Sequence, residues 1–135
     1  DRHGWPFGVI LMDIDHFKRV NDAYGHPIGD KVLQIIALTL VNNSRQSDLV
    51  GRWGGEEFLL VLSNASMESL KAAAEKLSAP TAQSQVGLRE GVLTVTLSAG
   101  ATMARKGEDV ETMLKRADAM LYQSKHGGRN RLTLD

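Results

Sequence analysis

The chain has 135 residues, of which 42% are hydrophobic and 24% are charged, the composition of an ordinary globular domain with a real core. Sixteen basic and sixteen acidic residues give a formal net charge of zero, which excludes a general electrostatic attraction to nucleic acid or to an anionic membrane. There is no cysteine, hence no disulfide or thiolate metal site, and neither a membrane-spanning apolar run nor a signal peptide is visible.

The chain opens with a nearly continuous apolar run, Phe7 to Met12, which is typical of a central strand buried on both faces. The sequence Asp13-Ile14-Asp15 then places carboxylates at the end of this strand. A brief helix or turn is predicted over His16 to Tyr24, followed by a break at Gly25-His26-Pro27. Asp30 is predicted to begin a helix that ends near Asn42.

A hairpin is predicted next, because Leu49 to Trp53 and Phe58 to Leu62 both have strand-like patterns and flank the pair Gly54-Gly55. Glycine adopts positive φ at little cost, as tight hairpin turns require. The turn therefore leads directly into Glu56 and Glu57, two acids that could hold a cation. The simpler interpretation is a glycine hairpin with solvated acids on its rim.

The second half of the chain predicts alternating helices and strands. The predicted elements are a helix over Met67 to Leu77, a loop over residues 79–91, a half-buried strand over Val92 to Ala99, a helix over about Val110 to His126 that ends at Gly127-Gly128, and a final strand over Arg129 to Leu134. This order predicts an α/β domain with a sheet of mixed direction. In such a sheet the end of the first strand and the hairpin turn can lie side by side, which would bring Asp13 and Glu56 together.

Several stretches in the same order resemble one known family. They are Asp13-Ile14-Asp15-His16-Phe17-Lys18, Asn21-Asp22, Gly25-His26-Pro27-Ile28-Gly29-Asp30, Arg52-Trp53-Gly54-Gly55-Glu56-Glu57-Phe58, Ser98-Ala99-Gly100, Arg116-Ala117-Asp118-Ala119-Met120-Leu121-Tyr122 and Lys125-His126-Gly127-Gly128-Arg129-Asn130. Together they resemble the GGDEF domain of bacterial diguanylate cyclases, in the variant whose central acid is Glu. The resemblance covers almost the whole chain, except that the family's opening helix and its Leu-Thr-Gly-Leu-type segment are absent.

The resemblance implies a fold: a central mixed, mainly antiparallel sheet flanked by helices, palm-like as in nucleotidyl cyclases, with a ferredoxin-like core. It also implies that residues 1–135 form one catalytic domain cut from a larger regulatory protein, with a sensory or receiver domain upstream. We expect a cytoplasmic domain that contacts neither nucleic acid nor membrane, with any membrane anchor in another region.

The implied reaction is the condensation of two GTP molecules into cyclic di-GMP with release of pyrophosphate. Each domain would hold one GTP and two Mg²⁺ ions, with Mn²⁺ as an alternative, and two domains would meet as a homodimer. By this resemblance Asp13, Glu56 and the Ile14 carbonyl are the metal ligands. Glu56 is also a candidate acceptor of the 3′-hydroxyl proton, and Glu57 would support the site. The alternative for Asp13 is a helix cap at the end of a strand.

The resemblance assigns the remaining substrate contacts to two groups of residues. Asn21 and Asp30 match guanine-binding positions, and their oxygens can accept from the N–H groups of guanine. The phosphate positions are Lys18, Lys125 and Arg129, together with backbone N–H groups at His16 and Phe17. For Asp30 the alternative is a helix N-cap. For the basic residues it is a favourable interaction with a helix C-terminus.

Arg45 and Asp48 match the family's inhibitory product site, in which an Arg fork and a carboxylate bind guanine and phosphate groups of cyclic di-GMP. A second arginine usually comes from a neighbouring surface, and Lys76 is a speculative substitute. The alternative is a solvated turn with a local Arg–Asp pair.

Three other functions compete with a cyclase. A catalytically silent domain would bind GTP or cyclic di-GMP as a receptor, but such domains usually lack the central acids, which are present here. A cyclase or polymerase-like enzyme for another nucleotide would not need Asn21 and Asp30. A pure interaction domain would leave the phosphate and metal positions unexplained.

Overall fold

The computed structural model of the protein describes residues 6–82, 85–88 and 91–135. In chain order the elements are β1 (Phe7–Ile14), α1 (Phe17–Tyr24), α2 (His26–Asn42), β2 (Leu49–Gly54), β3 (Glu57–Ser63), α3 (Met67–Ala82), β4 (Gln85–Leu88), β5 (Gly91–Thr94), β6 (Leu97–Met103), α4 (Val110–His126) and β7 (Leu132–Leu134).

Five strands form the central sheet in the order β2-β3-β1-β6-β7, and β4 pairs with β5 in a separate hairpin. The strand β1 is antiparallel to both β3 and β6, whereas β6 and β7 run parallel. The prediction of a mixed, mainly antiparallel sheet flanked by helices is therefore confirmed.

The central strand β1 is buried on both faces, as its unbroken apolar run predicts. Ile10, Met12 and Ile14 belong to the larger core, which they share with buried residues of α1, α2 and α3. Val9 and Leu11 point to the opposite face and pack with Met113, Ala117 and Leu121 of α4. Because side chains alternate along a strand, Asp13 continues the row of Val9 and Leu11 and lies on the α4 face.

The helix α4 lies against β6 closely enough to require a glycine on the strand. A Cβ atom added at Gly100 would come 2.2 Å from the Leu121 nitrogen and 2.3 Å from the Ala117 oxygen, both of which are backbone atoms. Nothing at this contact can rotate away, so the glycine fixes the distance between helix and sheet. The last turn of α4 is thereby held over the end of β1.

Four predicted boundaries were wrong. The helix α2 begins at His26 and not at Asp30, because Pro27 occupies the first turn, where its missing N–H costs no hydrogen bond. The final strand is only Leu132–Leu134, because Arg129 and Asn130 both adopt positive φ and cannot extend it. The other two wrong boundaries are those of the predicted loop over residues 79–91 and of the strand that follows it.

Residues 79–91 were predicted as a loop, but the described part of this stretch contains the end of α3 and the strand β4. Residues 83–84 and 89–90 lie outside the described residues. The strand β4 is formed by backbone pairing with β5, and the composition of the segment does not reveal that a pairing partner is present. The strand predicted over Val92 to Ala99 is two strands, β5 and β6, which are separated by Val95 and Thr96; the Thr96 backbone oxygen accepts from Asp15 N–H at 2.9 Å.

Candidate active site

Acids from two distant parts of the chain meet at one end of the sheet. Asp13, near the end of β1, is directly opposite Glu57 of β3 and Ser98 of β6. The next residue, Ile14, donates its N–H to the backbone oxygen of Glu56 at 3.3 Å. The predicted approach of Asp13 to Glu56 is therefore present, with the Ile14 backbone between the two residues.

Asp13 is almost fully buried, and its two carboxylate oxygens have different surroundings. Oδ2 accepts a hydrogen bond from the Lys125 ammonium, whose side chain is one third exposed. Oδ1 is buried and has no hydrogen-bond partner among the described residues. A buried carboxylate oxygen without a donor is costly, so this atom is suited to an incoming cation.

The three acids of the cluster all have raised pKa values. Burial raises the pKa of Asp13, although its hydrogen bond with Lys125 opposes the shift. The pKa values of Glu56 and Glu57 are raised first by burial and then by the negative charge of Asp13. The negative charge of Asp13 thus makes Glu56 and Glu57 harder to ionise, and a bound cation would relieve this repulsion.

The donor set of this cluster fits magnesium. In the described residues no three His, Cys, Asp or Glu side chains are arranged to bind a metal ion. Magnesium, however, usually takes only one or two protein carboxylates and completes its shell with water and substrate phosphates. Asp13 and Glu56 with one backbone carbonyl meet this requirement.

The hairpin turn differs from its predicted form. Its turn residues are Gly55 and Glu56 rather than Gly54 and Gly55, and a bulge lies between Arg52 and Gly54. Neither Gly54 nor Gly55 is among the described glycines with positive φ. A Cβ added to either would meet no atom within 4 Å. Neither the backbone nor the packing of this chain requires these two glycines, and their effect is to leave open backbone beside the acids.

The start of α1 provides unpaired backbone donors. His16, the N-cap residue, adopts a left-handed conformation with φ of 58°, and no side chain caps the helix. The first N–H groups of a helix have no partner within it, and a left-handed residue before right-handed ones forms a concave nest for anions. Phe17 is buried and Lys18 is exposed, so the position predicted for phosphate has a cation beside backbone N–H groups that no described residue accepts from.

The loop after α4 is held against β1 by Asp15. This buried carboxylate accepts from Thr96 Oγ1 at 2.6 Å, from Ser98 Oγ at 2.6 Å and from Asn130 N–H at 2.9 Å. It therefore fixes the left-handed Arg129-Asn130 pair near the acid cluster. None of Asp15, Thr96, Ser98 and Asn130 was predicted to take part in the site. The sequence signal that could have indicated this hydrogen-bond network is the presence of polar residues next to the acids in strands that are otherwise apolar.

The predicted guanine contacts Asn21 and Asp30 lie on α1 and α2, two helices that pack against each other. A Cβ at Gly29 would come 1.8 Å from Asn21 Oδ1, so the missing side chain of Gly29 leaves room for the Asn21 amide. The neighbouring Asp30 is exposed, and its side chain has no hydrogen bond or ion pair with any described residue. Since α2 begins at His26, Asp30 is not an N-cap, and that alternative is wrong. Asp30 also lines a cavity of about 350 Å³ between α2 and β2, whose lining does not include Asn21.

Arg45 and Asp48 are paired with each other. Arg45 Nη2 lies 3.0 Å from Asp48 Oδ1, the Arg45 N–H donates to Oδ2 at 3.0 Å, and Nη2 also donates to the Ser63 carbonyl at 3.2 Å. The Asp48 side chain is 3% exposed and the Arg45 side chain 52% exposed, so the arginine is the member of the pair that faces solvent. The pair borders a cavity of about 220 Å³ that Lys76 also lines. The local Arg–Asp pair considered from the sequence is thus formed.

Comparison with known proteins places this geometry in a family. The model described as "Diguanylate cyclase, GGDEF domain" matches residues 1–131. The diguanylate cyclase DgcP of Pseudomonas aeruginosa is 43% identical over 131 residues, which are 97% of this chain and 20% of that protein. The chain therefore spans about a fifth of the length of this relative.

Two solved structures have closely similar folds. The diguanylate cyclase SiaD of Pseudomonas aeruginosa, in complex with its activator SiaC, has a TM-score of 0.97 at 38% identity; the match covers all of this chain and 52% of SiaD. The active GGEEF domain of a diguanylate cyclase from Vibrio cholerae has a TM-score of 0.90 at 34% identity, over 98% of this chain and 85% of that one. Within the described residues, no helix combines the length and apolarity that crossing a bilayer requires.

Proposed function

The chain belongs to the GGDEF domain family, and we propose that it is a diguanylate cyclase domain that condenses two GTP molecules into cyclic di-GMP. The observation that carries the proposal is the buried, unpartnered Oδ1 of Asp13 beside Glu56, next to the open backbone of Gly54 and Gly55. This combination would be unfavourable in a domain that bound no cation, because Lys125 compensates only one oxygen of Asp13 and the other is buried without a donor.

Asp13 and Glu56, with the Ile14 carbonyl, are the residues that would hold Mg²⁺. The bound ion would neutralise phosphate charge and lower the pKa of the attacking hydroxyl. Glu57 lies opposite Asp13 in the sheet and adds negative charge to the cluster without lying in the turn. In this proposal Glu57 supports the site electrostatically, and Glu56 is the acid nearest the open backbone.

Lys125 has a different role in the free and the loaded domain. Without ligand its ammonium compensates the buried charge of Asp13. With a cation and nucleotide bound, Asp13 would be compensated by the cation, and Lys125 would be available to a phosphate. In this proposal Arg129, in the loop after α4, and Lys18, at the start of α1, would also bind phosphate, and the backbone N–H groups of His16 and Phe17 would add donors.

The guanine is assigned to the first turns of α2, where Asp30 of α2 and Asn21 of the neighbouring α1 would present oxygens to its N–H groups. Adenine has an acceptor at N1 and lacks the N2 amino group, so Asp30 would be unpaired against it. The specificity for GTP over ATP follows from this difference.

Each domain provides one such site, so the proposed reaction requires two domains facing each other as a homodimer. The 3′-oxygen of each GTP forms a bond to the α-phosphorus of the other, and each α-phosphorus loses its bond to pyrophosphate. The two hydroxyl protons leave to Glu56 or to water. The products are one cyclic di-GMP and two pyrophosphates.

Product inhibition at Arg45 and Asp48 is the second part of the proposal. The exposed Arg45 side chain and the adjoining cavity support a ligand there. Because Asp48 is already paired and almost fully buried, it would orient Arg45, and the product would contact mainly the arginine. Lys76 on the cavity wall is the available second cation.

The test is to incubate the protein with GTP and Mg²⁺ and to measure cyclic di-GMP and pyrophosphate by mass spectrometry. The matched control is Glu56→Gln, which keeps the side-chain size and removes the charge. We expect product from the parent and none from a folded variant. Binding of GTP without product, at protein concentrations high enough for dimers, would instead identify a receptor. Undiminished turnover by Glu56→Gln would contradict the assigned site.

A further inference from the structure

The cavity between α2 and β2 has apolar walls and two charged side chains of opposite sign. Leu33, Ala37 and Val50 contribute to its walls, and Asp30 and Arg52 are its charged lining residues. Among the described residues that line it, Arg52 is the only cation. A flat, mainly apolar heterocycle with polar edges is the kind of group that such a cavity accommodates.

The register of the sheet directs Arg52 to this face. Arg52 is opposite Phe58, which in turn is opposite Met12, and both of these residues are in the core shared with α1, α2 and α3. Directly opposite residues in adjacent antiparallel strands point to the same face of the sheet. Arg52 is therefore on the α2 face, whereas Glu57 and Asp13 are on the α4 face.

The guanidinium of Arg52 is anchored and only partly used. Its Nε donates to the Gly55 carbonyl at 2.8 Å, and no other hydrogen bond or ion pair joins this side chain to the described residues. A guanidinium has five N–H donors in a planar fork, so both terminal nitrogens are free. The anchor to the turn reduces the freedom that a long side chain would otherwise lose on binding.

Guanine has acceptors that the proposed contacts leave unsatisfied. Asp30 and the Asn21 oxygen would accept from N1–H and N2–H, and as acceptors they cannot donate a hydrogen bond to N7. The adjacent acceptors N7 and O6 of guanine are the pair that an arginine fork binds best. We infer that Arg52 is a specificity-determining residue that donates to the N7 and O6 edge of guanine from the wall opposite Asp30. This inference rests on the proposed function, because it requires a guanine nucleotide in the site.

The competing explanation is that Arg52 only stabilises the hairpin through Gly55. The two explanations differ for an analogue that lacks the N7 acceptor. If Arg52 only stabilised the hairpin, its replacement would change the affinity for all guanine nucleotides alike. If Arg52 binds N7 of guanine, the parent protein itself would bind the 7-deaza analogue more weakly.

The experiment measures calorimetric affinities, with Mg²⁺ present, for 2′,3′-dideoxyguanosine triphosphate and its 7-deaza analogue. Neither can react, because both lack the 3′-hydroxyl. The proteins are the parent, Arg52→Ala, Arg52→Lys and the control Gln34→Ala, which alters a neutral residue of the same cavity. We expect the parent and Gln34→Ala to bind the 7-deaza analogue roughly tenfold more weakly. Arg52→Ala should bind both ligands equally, and Arg52→Lys should recover only part of the preference, because it lacks the fork.

An equal 7-deaza penalty in the parent and in Arg52→Ala would overturn the inference and leave the proposed function intact. A parent that binds guanine nucleotides with no 7-deaza penalty would overturn it as well. Failure of the parent to bind any guanine nucleotide would overturn both the inference and the proposed function.

Discussion

Replacing Gly29 by alanine should impair nucleotide binding without unfolding the domain. The added Cβ would lie 1.8 Å from Asn21 Oδ1, and Cβ atoms essentially never come within 3.0 Å of another heavy atom. The amide must therefore retreat by at least 1.2 Å, the difference between these two distances. The displaced group is the end of a flexible side chain, so the fold can absorb the change.

Two terms set the size of the effect. Alanine is a better helix former than glycine by about 1 kcal/mol, which offsets part of the cost of moving Asn21. A displaced amide loses its hydrogen bonds to guanine, which contribute about 0.5–1.5 kcal/mol each. Two such bonds amount to a loss of roughly five-fold to 150-fold in affinity for GTP.

The assay is a calorimetric titration with Mg²⁺ and 3′-deoxy-GTP, which binds without reacting, performed on the parent, Gly29→Ala, Asn21→Ala and the double variant. In the Asn21→Ala background the clash is gone, so Gly29→Ala should cost nothing more, within about 0.5 kcal/mol. Gly87→Ala is the control, because a Cβ there meets no atom within 4 Å. Additive losses in the double variant, or parent-like affinity of Gly29→Ala, would refute the reasoning.

Two further predictions concern other parts of the site. Arg45→Ala should relieve inhibition by cyclic di-GMP, because it removes the exposed cation of the proposed product site; inhibition curves that superimpose on the parent's would exclude this site. For the metal-free protein, the raised pKa of Glu56 means that its ionised form opposes folding above pH 4.5, and the opposition disappears as the group protonates at lower pH. Glu56→Gln should therefore melt higher than the parent near pH 7.5 in EDTA, with a difference that shrinks as the pH falls; a difference independent of pH would contradict this.

The sequence predicted the fold wherever a segment's own pattern determines its structure. The apolar run was sufficient to predict β1, because a strand buried on both faces is apolar throughout. The helical spacing of apolar residues was sufficient to predict α4, because a helix buried on one face repeats its apolar residues every three to four positions. The strand β4 was missed because it depends on a partner, and the start of α2 was missed because Pro27 begins that helix instead of ending the previous segment.

The site was predicted from the resemblance more than from the residues. The pairing of Asp13 with Lys125, 112 positions apart, follows from the alternation of β1 and the close approach of α4 at Gly100. Neither feature can be seen until the strands are aligned. The local pair of Arg45 with Asp48 needed no tertiary information, since three residues in a turn bring the two side chains together.

Asp13 and Asp15 show why the same residue type two positions apart serves different purposes. Both lie on the α4 side at the end of β1, and both are more than nine-tenths buried. Asp15 accepts three hydrogen bonds from the protein, so it has little capacity left for a ligand and acts by fixing the loop that carries Arg129. Asp13 has one cationic partner and one unpartnered oxygen. A second protein donor at that oxygen would improve the stability of the free domain and would occupy the position a metal ion needs. The incomplete satisfaction of Asp13 is therefore the structural cost of a cation site, and Asp15 beside it supplies the rigidity that keeps the site in place.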